Sequence, residues 1–489
     1  CTMIQGQVIL SDSAFKDISF GSVPYILQQI NFITFQAQLP ARDDSIAWIT
    51  IENNIFLNIT IDKEEGYIRG LFDNSFFLVL APNSMLALDN NTFHAISIAP
   101  EGSIATLSVT AISITNCSFR ALEFLDVNGA LNLIFETLVV DSSVFDRNSG
   151  TGFTGAGIMQ LANPYPDEID ISVSILNCNF TGNVAPYGTL LTSTNTSISL
   201  TMKNNLISNS QVSAEGALIY LRNLLDSNIV IENSQFLLEQ NQTSSTLPSL
   251  QFFSVTGSSG NVSVKIINCN ASVSSDIPGV LVSFKRNDNI KLNVSRLSLS
   301  SLADVSSLGA HYAILNSDVV EAYFTELTVA NVSMNQTPFF TINCNTKSLS
   351  SSSAKIWSLQ IAVTSFKNLR LTQGIISIKS DDYLLEALDN LTIKIWNTTF
   401  SSIQWENCSN FEGGVLQVST SLIGKSTNAA DEYSITISNC SFSDLVSESS
   451  SLYTGIENLF DSVLPGNSLP MREGWKRASG ALNLWEPMV

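Results

Sequence analysis

Five short acidic runs are where this chain would do catalytic chemistry if it does any. They are Asp43-Asp44, Glu64-Glu65, Asp167-Glu168 with Asp170, Asp381-Asp382 and Asp431-Glu432. Paired carboxylates carry out general acid–base catalysis when two of them converge on one substrate atom. Each run falls just before an inferred strand, where solvated turn acids are the simpler reading. Their hard oxygens also suit a weakly held Ca²⁺; no other cofactor is indicated. His94 and His311 lie near no nucleophile motif, and Gly-x-Ser-x-Gly is absent. No glycine stretch follows a phosphate-loop pattern. The seven cysteines (Cys1, Cys117, Cys178, Cys269, Cys344, Cys408 and Cys440) contain no CxxC and no zinc spacing. Their odd number leaves at least one thiol free or paired between molecules.

A repeat must position these residues. The pattern is apolar, any residue, Asn, small, any residue, Phe, as in Ile114-Thr115-Asn116-Cys117-Ser118-Phe119. With the Asn position as anchor, fourteen copies fall at Asp12, Asn53, Asn90, Asn116, Ser142, Asn177, Asn204, Asn233, Asn268, Leu299, Asn331, Val363, Asn397 and Asn439. An apolar residue always stands two positions earlier, and Phe stands three positions later in ten copies. Alternation such as Ser227-Asn228-Ile229-Val230-Ile231 predicts half-buried strands. Asn tolerates a left-handed backbone, so it bends the chain in one step. A second, Gly-started apolar strand recurs between copies, as in Gly188-Thr189-Leu190-Leu191 and Gly413-Gly414-Val415-Leu416. Each coil then holds about three strands. The fold expected is an all-β, right-handed parallel β-helix of about 14 coils over residues 1–455. Residues 456–489, which contain the breaker Leu464-Pro465-Gly466, are expected to form a cap or linker.

Stacked anchors predict an inward amide ladder of Asn53, Asn90, Asn116, Asn177, Asn204, Asn233, Asn268, Asn331, Asn397 and Asn439. That phase sorts the fifteen Asn-x-Ser/Thr sequons. Asn58, Asn179, Asn195, Asn241, Asn261, Asn270, Asn335, Asn390 and Asn407 are the expected glycan sites, on loops or outward positions. The sequons at Asn90, Asn116, Asn331, Asn397 and Asn439 are anchors and should carry no sugar. Cys117, Cys178, Cys269 and Cys440 each follow an anchor, at a position filled elsewhere by Ser, Asn or Thr. They read as buried structural residues.

Bulk properties narrow the function. The chain has 489 residues, a net charge of −20 and only 13% charged residues. Such acidity disfavours nucleic acid and anionic membranes as partners. No segment reads as a transmembrane helix. Residue 1 is Cys and no signal peptide precedes it, which suggests a mature chain or a segment of a longer one.

The coils resemble the pectin-lyase-like right-handed β-helix superfamily, and in detail polymorphic-outer-membrane-protein-type repeats. The resemblance rests on Phe145-Asp146-Arg147-Asn148, Phe180-Thr181-Gly182-Asn183 and Glu215-Gly216-Ala217-Leu218-Ile219. It implies a surface protein like those of bacterial autotransporters or of protists such as ciliates. The expectation is a secreted or cell-surface, N-glycosylated structural or adhesive protein, a rigid spacer or a subunit of an extracellular assembly or filament. Its partners would be other copies, extracellular proteins or glycans. The rivals are a polysaccharide lyase or hydrolase of this fold, and a glycan-binding module using Trp405 or Tyr383.

Overall fold

In the computed structural model the chain is all-β, with no helix among the described residues. Those are residues 2–3, 7–20, 31–37, 47–61, 74–98, 102–124, 129–150, 157–162, 170–212, 217–238, 250–273, 279–301, 311–315, 317, 319–334, 338–344, 356–371, 374–380, 390–405, 415–419, 432–447 and 482–485. The chain divides into two compact units, Cys1–Glu239 with Pro248–Val262, and Gln240–Leu247 with Ser263–Val489.

Both units follow one coil plan. In the first, a coil runs through Leu131–Ile134, Thr137–Asp141 and Val144–Asp146. The following coil repeats it with Met159–Ala162, Ile171–Leu176 and Asn179–Thr181. Each strand pairs in parallel with its equivalent one coil on: Leu131 lies opposite Met159, Val140 opposite Ile175, and Phe145 opposite Phe180. Parallel strands need a crossover, and here the rest of the coil supplies it. In the second unit Phe340 lies opposite Ile376, Ile361 opposite Ile395, and Phe366 opposite Phe400. This is a parallel β-helix. Of the expected cap or linker only Leu482–Trp485 is described, and it adds a parallel rung beside Leu416–Ser419.

The alternation read from the sequence places the core. Ile171, Val173 and Ile175 are buried and alternate with Ser172, Ser174 and Leu176. Phe residues of successive coils stack over one another. From Phe15 through Phe56, Phe93, Phe119, Phe145 and Phe180 the ring centroids stand 4.8 to 5.1 Å apart, with planes within 13° of parallel. The backbone imposes that separation, since parallel strands repeat at about 4.8 Å. Ring carbons attract best at about 3.5–4.0 Å, so neighbouring rings must be slipped sideways to touch. Phe366, Phe400 and Phe442 form the same stack in the second unit, at 5.2 and 5.1 Å.

The bends use a left-handed backbone as expected. All ten Asn anchors have φ between 49° and 57°, as do Asp12, Ser142 and Val363. A second left-handed residue follows five positions later: Asn58 after Asn53, Arg147 after Ser142, Asn368 after Val363. This second bend corrects two anchors. Register pairs Leu299 with Val329 and Val329 with Phe366, so Leu299 lies in the Phe column. The true first bends of those coils are Arg296 and Glu326, at φ 51° and 55°. Asn331 belongs to the second bend, where its Oδ1 accepts from Asn368 Nδ2 at 3.0 Å. Arg and Glu hold a left-handed bend without an Asn signature, which shifted the reading of both coils.

Two stability predictions follow from this geometry. Phe119→Ala should cost about 3–5 kcal/mol. Phe119→Ile should cost clearly less, because Ile207 already fills this column opposite Phe180. Urea unfolding of both variants checks the order, and equal losses would contradict the stack. Val363 is a β-branched residue at φ 49° and is 55% exposed. Val363→Asn should therefore stabilise by about 1 kcal/mol, because it relieves left-handed strain and gives up little packing. It should raise the urea midpoint at unchanged slope.

Candidate functional site

The bends hold most of the side chains the sequence singled out, and their orientation differs from expectation. Nine of the ten anchors are exposed and Asn233 is half-buried. The amide ladder expected inside stands outside. Asn90 Nδ2 donates to Asn53 Oδ1 at 2.9 Å, and Asn204 Nδ2 to Asn177 Oδ1 at 3.1 Å. Asn177 Nδ2 in turn donates to Asp141 Oδ1 at 2.9 Å. The reason is parity. The residue two before the anchor and the Phe three after it both point inward, five positions apart. Period two cannot put both inside. The left-handed residue absorbs the odd step by facing out beside its predecessor, and the residue after it turns in.

That next residue is the inward ladder. In the first unit the column runs Asn54, Asn91, Cys117, Ser143, Cys178, Asn205 and Ser234, all buried. The bend interrupts the backbone ladder at two groups, and an Asn side chain in this column replaces both. Asn91 Oδ1 accepts from the N–H of Asn54 at 3.0 Å, and Asn91 Nδ2 donates to Ile51 O at 2.6 Å. Asn205 Oδ1 accepts from Cys178 N–H at 2.9 Å, and Asn205 Nδ2 donates to Ile175 O at 2.9 Å. Ser143 Oγ accepts from Cys117 N–H at 3.1 Å. Buried backbone groups require such partners, so the column selects short polar side chains.

The second bend repeats the device. Asn183 Oδ1 accepts from Asn148 N–H at 3.1 Å, while Asn183 Nδ2 donates to Phe145 O at 2.9 Å. Asn148 does the same for Leu122 N–H and Phe119 O, both at 3.1 Å. Ser210 Oγ follows on Asn183 N–H at 3.3 Å. The Phe-x-x-Asn mark of residues 145–148 and 180–183 is thus a backbone cap.

The cysteines after the anchors serve the same column. Cys117 Sγ reaches Leu88 O at 3.4 Å, and Cys178 Sγ reaches Leu176 O at 3.1 Å. Neither they nor Cys269 and Cys440 form a disulfide. Burial pushes the Cys117 thiol up to about 11 and the Cys178 thiol up to about 12. Burial also raises that of half-buried Cys440. The thiolate is the nucleophile, so these thiols are nearly inert at neutral pH. Cys1 and Cys408 lie outside the described residues. Cys344 ends the strand Phe340–Cys344.

Among the expected glycan sites, Asn58, Asn195, Asn261 and Asn270 are exposed, and Asn179 and Asn390 are half-buried. Asn241, Asn335 and Asn407 lie outside the described residues. So do Tyr383 and all of the acidic runs except Asp170, which is exposed, and the backbone of Glu432. Trp405 is 3% exposed, and its indole nitrogen has no hydrogen-bond partner among the described residues. It cannot offer a ring to a glycan. The left-handed Ser402 resets parity and sends Ile403 and Trp405 inward.

The charged contacts are surface pairs. Lys203 and Glu232 lie in register at 3.3 Å, as do Lys291 and Glu321 at 3.2 Å. Such pairs contribute little to stability. Among the described residues no three His, Cys, Asp or Glu side chains gather as a metal site. No helix among them is long and apolar enough to cross a membrane. No protein-family model matches the chain, and no curated protein matches it in sequence.

Two variants and a labelling experiment test these bends. Asn183→Ala leaves Asn148 N–H and Phe145 O without partners and should cost roughly 2–4 kcal/mol. Asn183→Ser should recover most of that, since Ser210 occupies the same column. Denaturant titration of the pair decides it. In native protein near pH 8, Cys117 and Cys178 should resist alkylation, with Cys440 reacting first. Their slow rates should rise about tenfold per pH unit and level off only above about 11 for Cys117 and about 12 for Cys178, where the thiolate predominates. Mass spectrometry of alkylated peptides reads this, and fast labelling of Cys117 at pH 8 would contradict burial.

Proposed function

We propose that this chain is an extracellular, N-glycosylated structural or adhesive β-helix of the pectin-lyase-like kind. It serves as a stiff spacer or as a subunit of an extracellular assembly. The observation that supports this reading most is the continuity of the core. Phe15 to Phe180 form one unbroken stack, flanked by buried ladders that satisfy the bends coil after coil. Repetition of one coil yields a stiff unit whose neighbours are held alike. The outward residues are chiefly Ser, Thr and Asn, which carry little charge but accept sugar. Such a surface stays soluble when it is glycosylated and acidic, and the net charge is −20.

The test is surface labelling of intact cells that express the natural protein, combined with enzymatic removal of N-glycans. The chain should be reached by a membrane-impermeant reagent, and its electrophoretic mobility should rise on deglycosylation. Retention inside the cell with unchanged mobility would contradict the reading. The polysaccharide lyase or hydrolase alternative predicts release of reducing ends or unsaturated sugars from acidic polysaccharides, which a colorimetric assay detects.

A further inference from the structure

We propose that this protein carries its N-glycans on the left-handed bends and not on the flat faces of its sheets. The assignment rests on the extracellular reading above, and it changes which sequons are used. Of the fifteen sequon asparagines, twelve are described, and none of the twelve is buried. They separate by backbone. Asn90, Asn116, Asn397 and Asn439 at first bends, Asn58 and Asn331 at second bends, and Asn195 at a further bend directly after the strand Leu191–Thr194 all have φ between 49° and 56°. All seven are exposed.

Asn179, Asn293 and Asn390 lie instead within strands and are half-buried. Asn179 stands between Val144 and Leu206, and Asn390 between Ile356 and Glu432. Half-buried among these neighbours, their amides are less open to a sugar than the exposed amides at the bends. The sequon hydroxyls are also engaged: Thr181 Oγ1 donates to Asn179 Oδ1 at 2.7 Å, and Thr392 Oγ1 to Asn390 Oδ1 at 3.2 Å. Asn261 and Asn270, exposed on strands, fall between the two sets.

At the bends the side chain leaves the sheet at a corner. Asn331 and Asn195 meet the outer amide ladder through Oδ1, not through Nδ2, the atom that a sugar takes. Where Nδ2 does donate, as in Asn90 to Asn53, a glycosylated amide keeps one N–H and can retain the bond. The modification joins Nδ2 to the anomeric carbon of an oligosaccharide carried on a polyprenyl diphosphate. The diphosphate leaves with its bonding electrons, and one amide proton is released.

The test uses the whole chain, secreted into medium from a eukaryotic cell line behind a heterologous leader. Glycans are cleaved by an amidase in isotopically heavy water, which converts each former glycan asparagine into a labelled aspartate read by peptide mass spectrometry. Labelling should be several-fold higher at Asn116, Asn397 and Asn439 than at Asn179 and Asn390. Thr399→Ala and Ser441→Ala remove the sequons of Asn397 and Asn439 without touching the bend residue, and each should lose one glycan from the intact mass. Labelling confined to Asn179 and Asn390, or absent from secreted chain, would overturn the assignment. The leader makes this outcome independent of where the natural protein resides, so the cell-labelling experiment judges the extracellular reading separately.

Discussion

In an extended strand, side chains alternate without exception, so residues an odd number of positions apart cannot both face the core. This chain asks for that two or more times in many of its coils, as at Ser142 and Arg147. An apolar residue and a Phe, five positions apart, must both be buried, and so must the Phe and a residue three further on. A residue at φ near +50° resolves each conflict by letting two successive side chains face outward. The preference for Asn, the inward column beside it and the register of the Phe stack all follow from that adjustment.

Each adjustment leaves two backbone groups without their ladder partners. The inward residue after the bend satisfies both, as Asn91 does for Asn54 N–H and Ile51 O. Asn fits best because one amide both accepts and donates. Cys117 has one atom for the task, and Ser143 Oγ accepts from Cys117 N–H while it donates to Asp141 O of its own coil. The same requirement explains why cysteines sit here with raised pKa values and no disulfide: the column needs a small, weakly polar group, and burial suppresses the thiolate. In parts of the second unit the column turns apolar, with Leu297 and Leu327 buried after Arg296 and Glu326.

Much of this was legible in the sequence. Period-two strands, left-handed anchors and the Phe column follow from residue type and spacing. The orientation of the anchors was not legible, because a left-handed residue breaks the parity on which the inward reading relied. The polar run Asn54, Asn91, Cys117, Ser143 and Cys178 carried the missing signal: short polar residues directly after an anchor, framed by buried apolar ones. Arg296 and Glu326 were missed because bends without Asn leave no compositional trace. Trp405 looked like a surface ring because the bend at Ser402 was unseen. The acidic runs that would argue for catalysis fall almost wholly outside the described residues, so the functional reading rests on the repeat and its surface.

A scaffold whose corners are held like its strands suits a protein that keeps distance or joins an assembly, and corners that face solvent suit the attachment of sugars. The account stands on the claim that buried side chains hold the bends as firmly as the strands they join. Amide hydrogen exchange of the native protein measures this directly. The N–H groups of Cys117, Leu122, Asn148, Cys178 and Asn183, each received by a side chain, should exchange as slowly as those of Phe119 and Phe145 in the adjoining strands. Exchange at these bend amides faster by orders of magnitude, while the strands stay protected, would contradict it.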